Sequence, residues 1–154
     1  MKDCVFCAIV DGRIEKTFVY EDEHVVVFPD LGSIRRGHVQ IVTRLHIETF
    51  EDLPPELAGH VLHVGQKIAR AQKRLYGVDR VSFLFSGGDI PHVHAHLVPM
   101  VVKTDITSAR YIEETDLTFR ALPELPKAEL DEIAREMREA LTPASARTEG
   151  RTSP

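Results

Sequence analysis

The sequence predicts an α+β fold, in which a mainly antiparallel, five-stranded sheet is combined with one long helix and an additional C-terminal helix. Two observations lead to this prediction. Short runs of β-branched and aromatic residues are separated by turn residues, and two longer runs carry apolar residues at helical spacing. The chain has 154 residues, of which 43% are hydrophobic and 28% are charged. This is the composition of an ordinary globular domain.

The first three strands are predicted before residue 44. Residues 17–21 and 25–28 are rich in β-branched and aromatic residues, and the polar segment between them suits a tight turn. We therefore expect a β-hairpin. Residues 37–43 predict the third strand, along which His38 and Gln40 alternate with apolar residues.

The long helix is predicted over residues 54–76. It begins with two prolines, which the first turn of a helix accepts, and Gly77 supplies a stop. Residues 80–86 and 92–100 predict the last two strands, joined by a turn over residues 87–91. The helix is expected to bury an apolar stripe formed by Leu57, Val61, Val64, Ile68 and Leu75.

The second helix is predicted over residues 126–141, where apolar residues again recur on one side. Residues 142–154 contain no large apolar side chain, and we expect them to be disordered. The chain is therefore predicted to form a single domain over residues 1–141. This domain has a core at residues 4–100 and a C-terminal extension at residues 101–141.

Charge and hydropathy exclude several classes of function. The 19 Lys and Arg residues against 24 Asp and Glu residues give a net charge of −5, which argues against general binding of nucleic acid but leaves room for one nucleotide in a pocket. No apolar run approaches the roughly 18 residues of a membrane helix. The N-terminus carries an acid at Asp3 and does not resemble a secretory signal. We expect a soluble, cytoplasmic protein with no membrane partner.

Three histidines, His92, His94 and His96, fall within five residues of the last predicted strand. Because alternate side chains of a strand share a face, the three imidazoles lie on one face and the residues between them point into the core. The imidazoles could all bind a metal, or they could serve a phosphate, since a neutral imidazole is a nucleophile and an imidazolium donates hydrogen bonds. An ordinary solvated strand face carries Lys, Glu, Thr or Ser instead, so a purely structural role is disfavoured.

The two cysteines of the chain, Cys4 and Cys7, have the spacing of half a metal site. Thiolates and imidazoles are the ligands that zinc prefers, and a closed structural site has four of them. His46, just after the third strand, and His92 are the candidate histidine ligands. A redox pair and two inert thiols are the alternatives.

The remaining signals are weaker. Gly87 and Gly88 could present backbone N–H groups to a phosphate, or they could form a plain hairpin turn. Asp30, directly after the second strand, could accept ribose hydroxyls or stabilise a turn. His60 and His63 lie three residues apart on the long helix and could chelate a metal, but a solvated helix flank is the more usual interpretation.

These segments together resemble the histidine-triad (HIT) family of nucleotide hydrolases and transferases. Residues 92–98 fit the family's His-x-His-x-His-hydrophobic-hydrophobic motif, and residues 4–12 resemble the N-terminal zinc knuckle of many bacterial members. Residues 20–22 and 28–30 are similar to its first two strands, and residues 37–46 to its Gly-His…Pro-Lys-x-His segment. The resemblance covers about two-thirds of the chain and implies a HIT-like fold.

The resemblance also implies residue roles. It makes His94 the nucleophile that attacks the α-phosphorus of a nucleotide, with His96 and His38 lining the phosphate site. It makes Asp30 the acid that holds the ribose and Leu31 the apolar residue beside the base. The segment before the triad is shorter than in many members and lacks their asparagine, and we expect it to contribute to nucleotide binding through Ser86, Gly87, Gly88 and Asp89. The resemblance further implies a structural zinc ion held by Cys4, Cys7, His46 and His92, and a homodimeric protein.

We therefore expect a hydrolase of purine nucleotides that cleaves at the α-phosphate through a nucleotidyl-histidine intermediate. Its expected substrates are nucleoside phosphoramidates, adenylates or dinucleoside polyphosphates. The alternatives are a nucleotidyl transferase or phosphorylase and a non-catalytic nucleotide-binding interaction protein. The transferase branch carries Gln at the third triad position, so His96 favours a hydrolase. Asp89 stands near a position where family members often have a neutral donor. An ionised carboxylate there would repel a polyanionic leaving group, which favours phosphoramidates and adenylates.

Overall fold

The structure, a computed structural model, describes residues 4–86 and 90–107 and the single positions Pro126 and Ala128. By its contacts the chain divides into two compact units, Met1–Glu113 and Glu114–Pro154, and the sheet and helices described below belong to the first. The predicted helix over residues 126–141 lies outside the described residues except at Pro126 and at Ala128, which is helical. The predicted disordered tail and the predicted domain boundaries stay predictions.

Five antiparallel strands form one sheet in the order β1-β2-β3-β5-β4. The strands are β1 (Tyr20–Glu21), β2 (Val25–Pro29), β3 (Val39–Thr43), β4 (Arg80–Phe85) and β5 (His94–Met100). The predicted fold class is confirmed, and so is the first hairpin, in which Tyr20 pairs with Val27. Strand β1 is shorter than predicted because only its last two residues pair with β2. Strand β5 begins at His94, because Val93 N–H donates to the Ile47 carbonyl in the loop after β3.

Two helices cover the sheet. Helix α1 (Val5–Val10) was not predicted from the sequence, whereas α2 (Pro55–Tyr76) was. Helix α2 begins with proline at its first position and ends at Gly77, whose φ of 63° is the left-handed conformation that glycine adopts without strain. Among the described residues, no helix is long and apolar enough to span a membrane.

The predicted apolar stripe of α2 is wrong at one position. Leu75 is 74% exposed, because every helix residue after Gln72 is exposed and the last turn lies beyond the sheet. Gln72 is buried in its place, and its side-chain Nε2 donates to the carbonyls of Gly37 and Leu97, at 2.7 and 3.2 Å. The helix is thereby fixed to both neighbouring strand segments by polar bonds as well as apolar packing.

The two faces of the sheet bury separate cores because side chains alternate along each strand. The face toward α2 buries Val25, Val27, Val39, Ile41, Val61, Val64, Ile68, Ala95 and Leu97. The opposite face packs on α1 through Phe6, Ile9, Val26, Phe28 and Val42. Helix α1 has only six residues and no side-chain cap, so it owes its stability to this packing rather than to its own propensity.

Candidate functional site

The register of the central strands brings the predicted histidines to the α1 face of the sheet. His94 lies opposite Val42 and His96 lies opposite Gln40 on β3. Residues directly opposite in an antiparallel pair point to the same side, so both imidazoles stand on the face that α1 covers. His92 precedes the strand but its ring remains on the same side, 5.8 Å from the ring centroid of Phe6.

His94 is held in a defined orientation and tautomer. Its Nδ1 lies 2.7 Å from the carbonyl oxygen of His92, and since a carbonyl can only accept, Nδ1 carries the proton. The Nε2 atom of the neutral ring is therefore the one with a free lone pair. The side chain is only 8% exposed, and burial lowers its pKa, which favours this neutral form near pH 7. The His96 ring lies 5.1 Å away, centroid to centroid.

Asp30, His38 and His96 form a second group, which we term the Asp-His-His cluster. The Nε2 atom of His38 lies 3.0 Å from His96 Nδ1, and both nitrogens lie 3.4 Å from Asp30 Oδ2. Gln40 Nε2 donates to the same carboxylate oxygen at 2.7 Å. His96 Nε2, on the outer side of the ring, lies 3.3 Å from the Ser86 hydroxyl.

The donor atoms of the Asp-His-His cluster are close enough to hold a metal, but the tautomer of His38 argues against it. Ile34 N–H donates to His38 Nδ1 at 3.2 Å, so in the neutral ring Nε2 carries the proton. Burial lowers the pKa of His38, which favours that neutral ring. Because a protonated nitrogen cannot ligate a metal, the cluster is a hydrogen-bonded network.

The carboxyl of Asp30 is held ionised by its neighbours. Its contact with His96 lowers its pKa well below the usual range, and the hydrogen bonds from the backbone N–H of Gly32 and the amide of Gln40 act in the same direction. Burial opposes this effect without reversing it. The site therefore presents a fixed negative oxygen beside the imidazoles of His38 and His96.

The loop over residues 31–37 lies between Asp30 and His38, and an ion pair holds it. The guanidinium of Arg35 bonds one carboxylate oxygen of Asp105 at 2.7 and 2.9 Å, while the other oxygen accepts from the backbone of Val101 and Val102. Asp105 is fully buried. At the start of the loop, Leu31 is 92% exposed and so is free to meet a ligand.

The four predicted metal ligands come together as one group. Cys4 Sγ lies 3.3 Å and Cys7 Sγ 3.6 Å from His92 Nδ1, and His46 Nδ1 lies 3.3 Å from Cys7 Sγ and 3.2 Å from His92 Nδ1. A tetrahedral zinc ion with its usual bond lengths needs donors about 3.3–3.7 Å apart. The donor separations therefore fit zinc.

The tautomer of His92 also fits a metal site. Its Nε2 donates to the Thr43 carbonyl at 2.8 Å, so Nδ1 is free to ligate, and a carbonyl acceptor of this kind is the usual outer partner of a metal-bound histidine. Burial raises the pKa of the Cys7 thiol. A divalent cation would counter this by stabilising the thiolate.

Three of the predicted site residues are not described by the structure, and the two histidines of α2 have different surroundings. Gly87, Gly88 and Asp89 lie outside the described residues, so their roles stay predictions. His63 is exposed on the helix flank, as expected, whereas His60 is half-buried and its Nε2 lies 2.8 Å from Asp22 Oδ2.

Gln40 and Phe6 contact residues of the site, but the sequence did not predict them as site residues. Gln40 shares the strand face of His38, which was visible from the alternation of β3, but it was given no role. Phe6 sits between the two cysteines, and its ring lies 4.9 Å from that of His94. The proximity of Phe6 to Cys4 and Cys7 was the only available signal.

The family model of the HIT domain matches residues 11–101. The "Protein hit" of Bacillus subtilis is 34% identical over 109 residues, which cover 68% of this chain and 75% of that protein. The adenylylsulfatase HINT3 of Arabidopsis thaliana is 30% identical over 102 residues, which cover 63% of this chain and 52% of that protein.

Two solved structures extend the similarity to the fold. The crystal structure of a HIT family member from Bacillus subtilis superposes with a TM-score of 0.73 at 28% identity, covering 92% of this chain and 99% of the other. A zinc-bound histidine triad family protein from Mycobacterium smegmatis superposes with a TM-score of 0.61 at 28% identity, covering 90% and 98%.

Proposed function

The chain belongs to the HIT domain family, and from this premise we propose that it is a nucleotide hydrolase with His94 as its nucleophile. The observation that carries the proposal is the bond from His94 Nδ1 to the His92 carbonyl, which leaves the lone pair on Nε2 of a buried, neutral ring. An imidazole oriented in this way is ready to attack phosphorus without first losing a proton.

The proposed reaction has two displacements at the α-phosphorus. In the first, His94 Nε2 bonds to phosphorus, the bond to the leaving nitrogen or oxygen breaks, and the leaving atom takes up one proton. In the second, water bonds to phosphorus, the bond to His94 breaks, and one proton is released. The net reaction consumes only water and yields a nucleoside monophosphate, and dividing one displacement into two lowers each barrier.

The neighbouring residues have distinct proposed roles. His96 Nε2, beside the Ser86 hydroxyl, is the proposed donor to the leaving atom and to the phosphate oxygens. His38 supports His96 through the 3.0 Å contact, while Asp30 accepts the ribose hydroxyls and Leu31 covers the base. The proposed substrates are adenosine phosphoramidates and adenylates. That the relative HINT3 is named an adenylylsulfatase supports chemistry at an adenylate.

We propose a structural zinc ion on Cys4, Cys7, His46 and His92, supported by the donor separations and by the zinc-bound relative. Zinc supplies a fixed tetrahedral link between these segments when it is bound. Because all four positions would be filled by protein, none remains for substrate. The reaction above therefore depends on the chain's own imidazoles and hydroxyls.

We also propose that the protein is a homodimer joined through β4 and α2. Among the described strands, β4 pairs only with β5 and so leaves one edge without a partner strand. Helix α2 exposes Leu62 and Leu75, which a second copy would cover. Light scattering of the full chain checks this, and a monomer at micromolar concentration would contradict it.

The test of the function is to trap the intermediate. The protein is mixed with an adenosine phosphoramidate, quenched within one turnover and digested for mass spectrometry. We expect AMP in the supernatant and an adenylyl group on the peptide that carries His94. AMP release with the adduct on another residue would overturn the nucleophile, and no AMP from phosphoramidates, adenylates or dinucleotides would overturn the hydrolase.

A further inference from the structure

A cavity of about 360 Å³ opens beside His94, and the proposed reaction places no part of the substrate in it. Its walls come from the loop after β3, from the end of β4 and from the residues that lead into β5. The residues that lead into β5 line the cavity as far as His94, whereas His96 belongs to the Asp-His-His cluster. His94 therefore stands between a polar cluster on one side and this cavity on the other.

The lining of the cavity combines an apolar wall with negative charge. Phe50 and Phe85 stack with 6.0 Å between ring centroids and 22° between planes, and Pro91 extends this wall. Glu48 and Glu51 line the same cavity and are exposed. Neither carboxylate forms an ion pair with a described residue, and no lysine or arginine is among the described lining residues.

We infer that this cavity is the subsite for the leaving group, and that it selects an amine with an apolar body and a positive charge. The inference rests on the proposed function: the departing nitrogen stays at phosphorus, where His96 is its proposed proton donor, and only the far end of the amine extends past His94 into the cavity. The aromatic wall buries the apolar body, and the free carboxylates of Glu48 and Glu51 attract the charge. A leaving group that carries a carboxylate is repelled by the same two residues.

The bond and proton changes at this subsite are those of the first displacement in the proposed hydrolysis. The bond between phosphorus and the amine nitrogen breaks as His94 bonds to phosphorus, and the departing nitrogen takes up one proton. The product amine then gains a further positive charge by ordinary protonation in water. Glu48 and Glu51 do not take part in the bond changes, so they determine specificity and are not catalytic residues.

The test compares three adenosine 5′-phosphoramidates that differ only at the far end of the amine. These are the N-(6-aminohexyl), N-heptyl and N-(5-carboxypentyl) compounds. At low salt we expect kcat/KM to favour the aminohexyl over the carboxypentyl compound by about ten-fold, because exposed charges interact weakly but act in opposite directions on the two substrates. The preference should shrink in 0.5 M salt, at which the Debye length is only about 4 Å.

Substitutions of the lining residues test whether the cavity causes the preference for the aminohexyl compound. The double variant Glu48→Gln/Glu51→Gln should bring the aminohexyl to carboxypentyl ratio close to one. The matched control Glu56→Gln removes the same charge from a different, neighbouring cavity and should keep the wild-type ratio. Phe50→Ala should lower the rate with the heptyl compound several-fold relative to the unsubstituted phosphoramidate, since it removes part of the apolar wall.

The possible results of these measurements distinguish a failure of the subsite from a failure of the proposed function. A wild-type ratio near one, or an equal ratio in the wild type and the double variant, overturns the subsite. If no substrate is hydrolysed, the proposed function fails, and the subsite is then tested by calorimetry with the same amines joined to adenosine through a sulfamide that cannot be cleaved. Equal affinities for the three compounds would overturn the subsite in that case too.

Discussion

The ring of Phe6 lies against the imidazole of His94, with 4.9 Å between the ring centroids and 57° between the planes. Phe6 is buried on α1, directly between Cys4 and Cys7 along the chain, and both thiol sulfurs lie near His92 Nδ1. One side chain therefore connects the four-ligand group to the proposed nucleophile.

The replacement His94→Ala should reduce kcat by at least about 10³-fold, because a nucleophile contributes far more to the transition state than to substrate binding. The affinity for AMP and the oligomeric state should stay within about two-fold of the wild type. His63→Ala is the control, because His63 is exposed on α2 and lies apart from the described site. If His94→Ala kept more than a tenth of the wild-type rate, another residue would be the nucleophile.

Removal of the proposed zinc ion should lower the melting temperature by about 10 °C. Metal binding that links segments distant in sequence contributes directly to folding free energy, and a loss of about 3 kcal/mol corresponds to a shift of this size. Protein purified without chelator should contain about one zinc per chain, and Cys4→Ser should contain much less. Metal analysis and calorimetry before chelation, after chelation and after zinc is restored provide the measurement. Zinc content near zero with an unchanged melting temperature would contradict the assignment.

Two glycines on α2 should respond to alanine in opposite directions. A Cβ at Gly65 would lie 2.6 Å from the ring of Phe83, so Gly65→Ala should destabilise the protein by about 1–3 kcal/mol. A Cβ at Gly59 meets nothing within 4 Å, so Gly59→Ala should stabilise it by up to about 1 kcal/mol through helix propensity. Urea unfolding of both variants gives the comparison. Stabilisation by both replacements would show that the helix shifts away from the sheet at little cost.

The ion pair between the partly exposed Arg35 and the buried Asp105 should make the free energy of unfolding depend on pH. The hydrogen bond from Arg35, helped by the backbone N–H groups of Val102 and Val101, lowers the pKa of Asp105 from 3.8 to about 2. The folded state therefore binds this proton less readily than the unfolded chain. The stabilisation is complete above about pH 5 and is lost as the pH falls through 4 toward 2.

The variant Asp105→Asn isolates this effect. At pH 7 it should be less stable than the wild type by about 2 kcal/mol, as expected for hydrogen bonds to a charged group. The difference should narrow as the pH falls from 4 toward 2. Loss of metal at low pH affects both proteins equally, so the difference in unfolding free energy at pH 7, 5 and 3 is the quantity to measure. A difference that stays constant with pH would place the effect in packing and not in charge.

The strands and the long helix were predictable because their signals are local. The alternation in β3 and the helical spacing from Leu57 to Ile68 each reflect a face that is buried along the element. Helix α1 was missed because six residues rich in valine and isoleucine carry no helix signal of their own, and it forms only where Phe6 and Ile9 meet the sheet. Leu75 was misplaced because spacing along a helix does not tell where the sheet beneath it ends.

The residue types of the candidate site were predictable from the sequence, but the ring nitrogen that carries the proton in each histidine was not. The triad motif and the cysteine spacing indicated His94 and the four candidate metal ligands, and the structure brings those four side chains together. The protonated nitrogen of His92 depends on Thr43, which is distant in sequence, whereas those of His94 and His38 depend on nearby backbone groups, the His92 carbonyl and the Ile34 N–H. These contacts depend on the folded backbone, which the order of residue types in a motif does not give.

The proposed zinc ligands have a consequence for the order in which the domain is completed as it is made. Cys4 and His92 are 88 positions apart, so during synthesis the two thiols leave the ribosome first, His46 follows, and His92 comes only after α2 and β4. A nascent chain that stops before His92 offers three donors at most, and a metal ion held by them would lack its fourth bond. Closing so long a loop also costs chain entropy, which favourable packing must first offset. Full capture of the proposed metal therefore has to wait until the segments that form β1 to β4 have been made, and its last ligand lies directly before β5, the strand that joins β3 to β4.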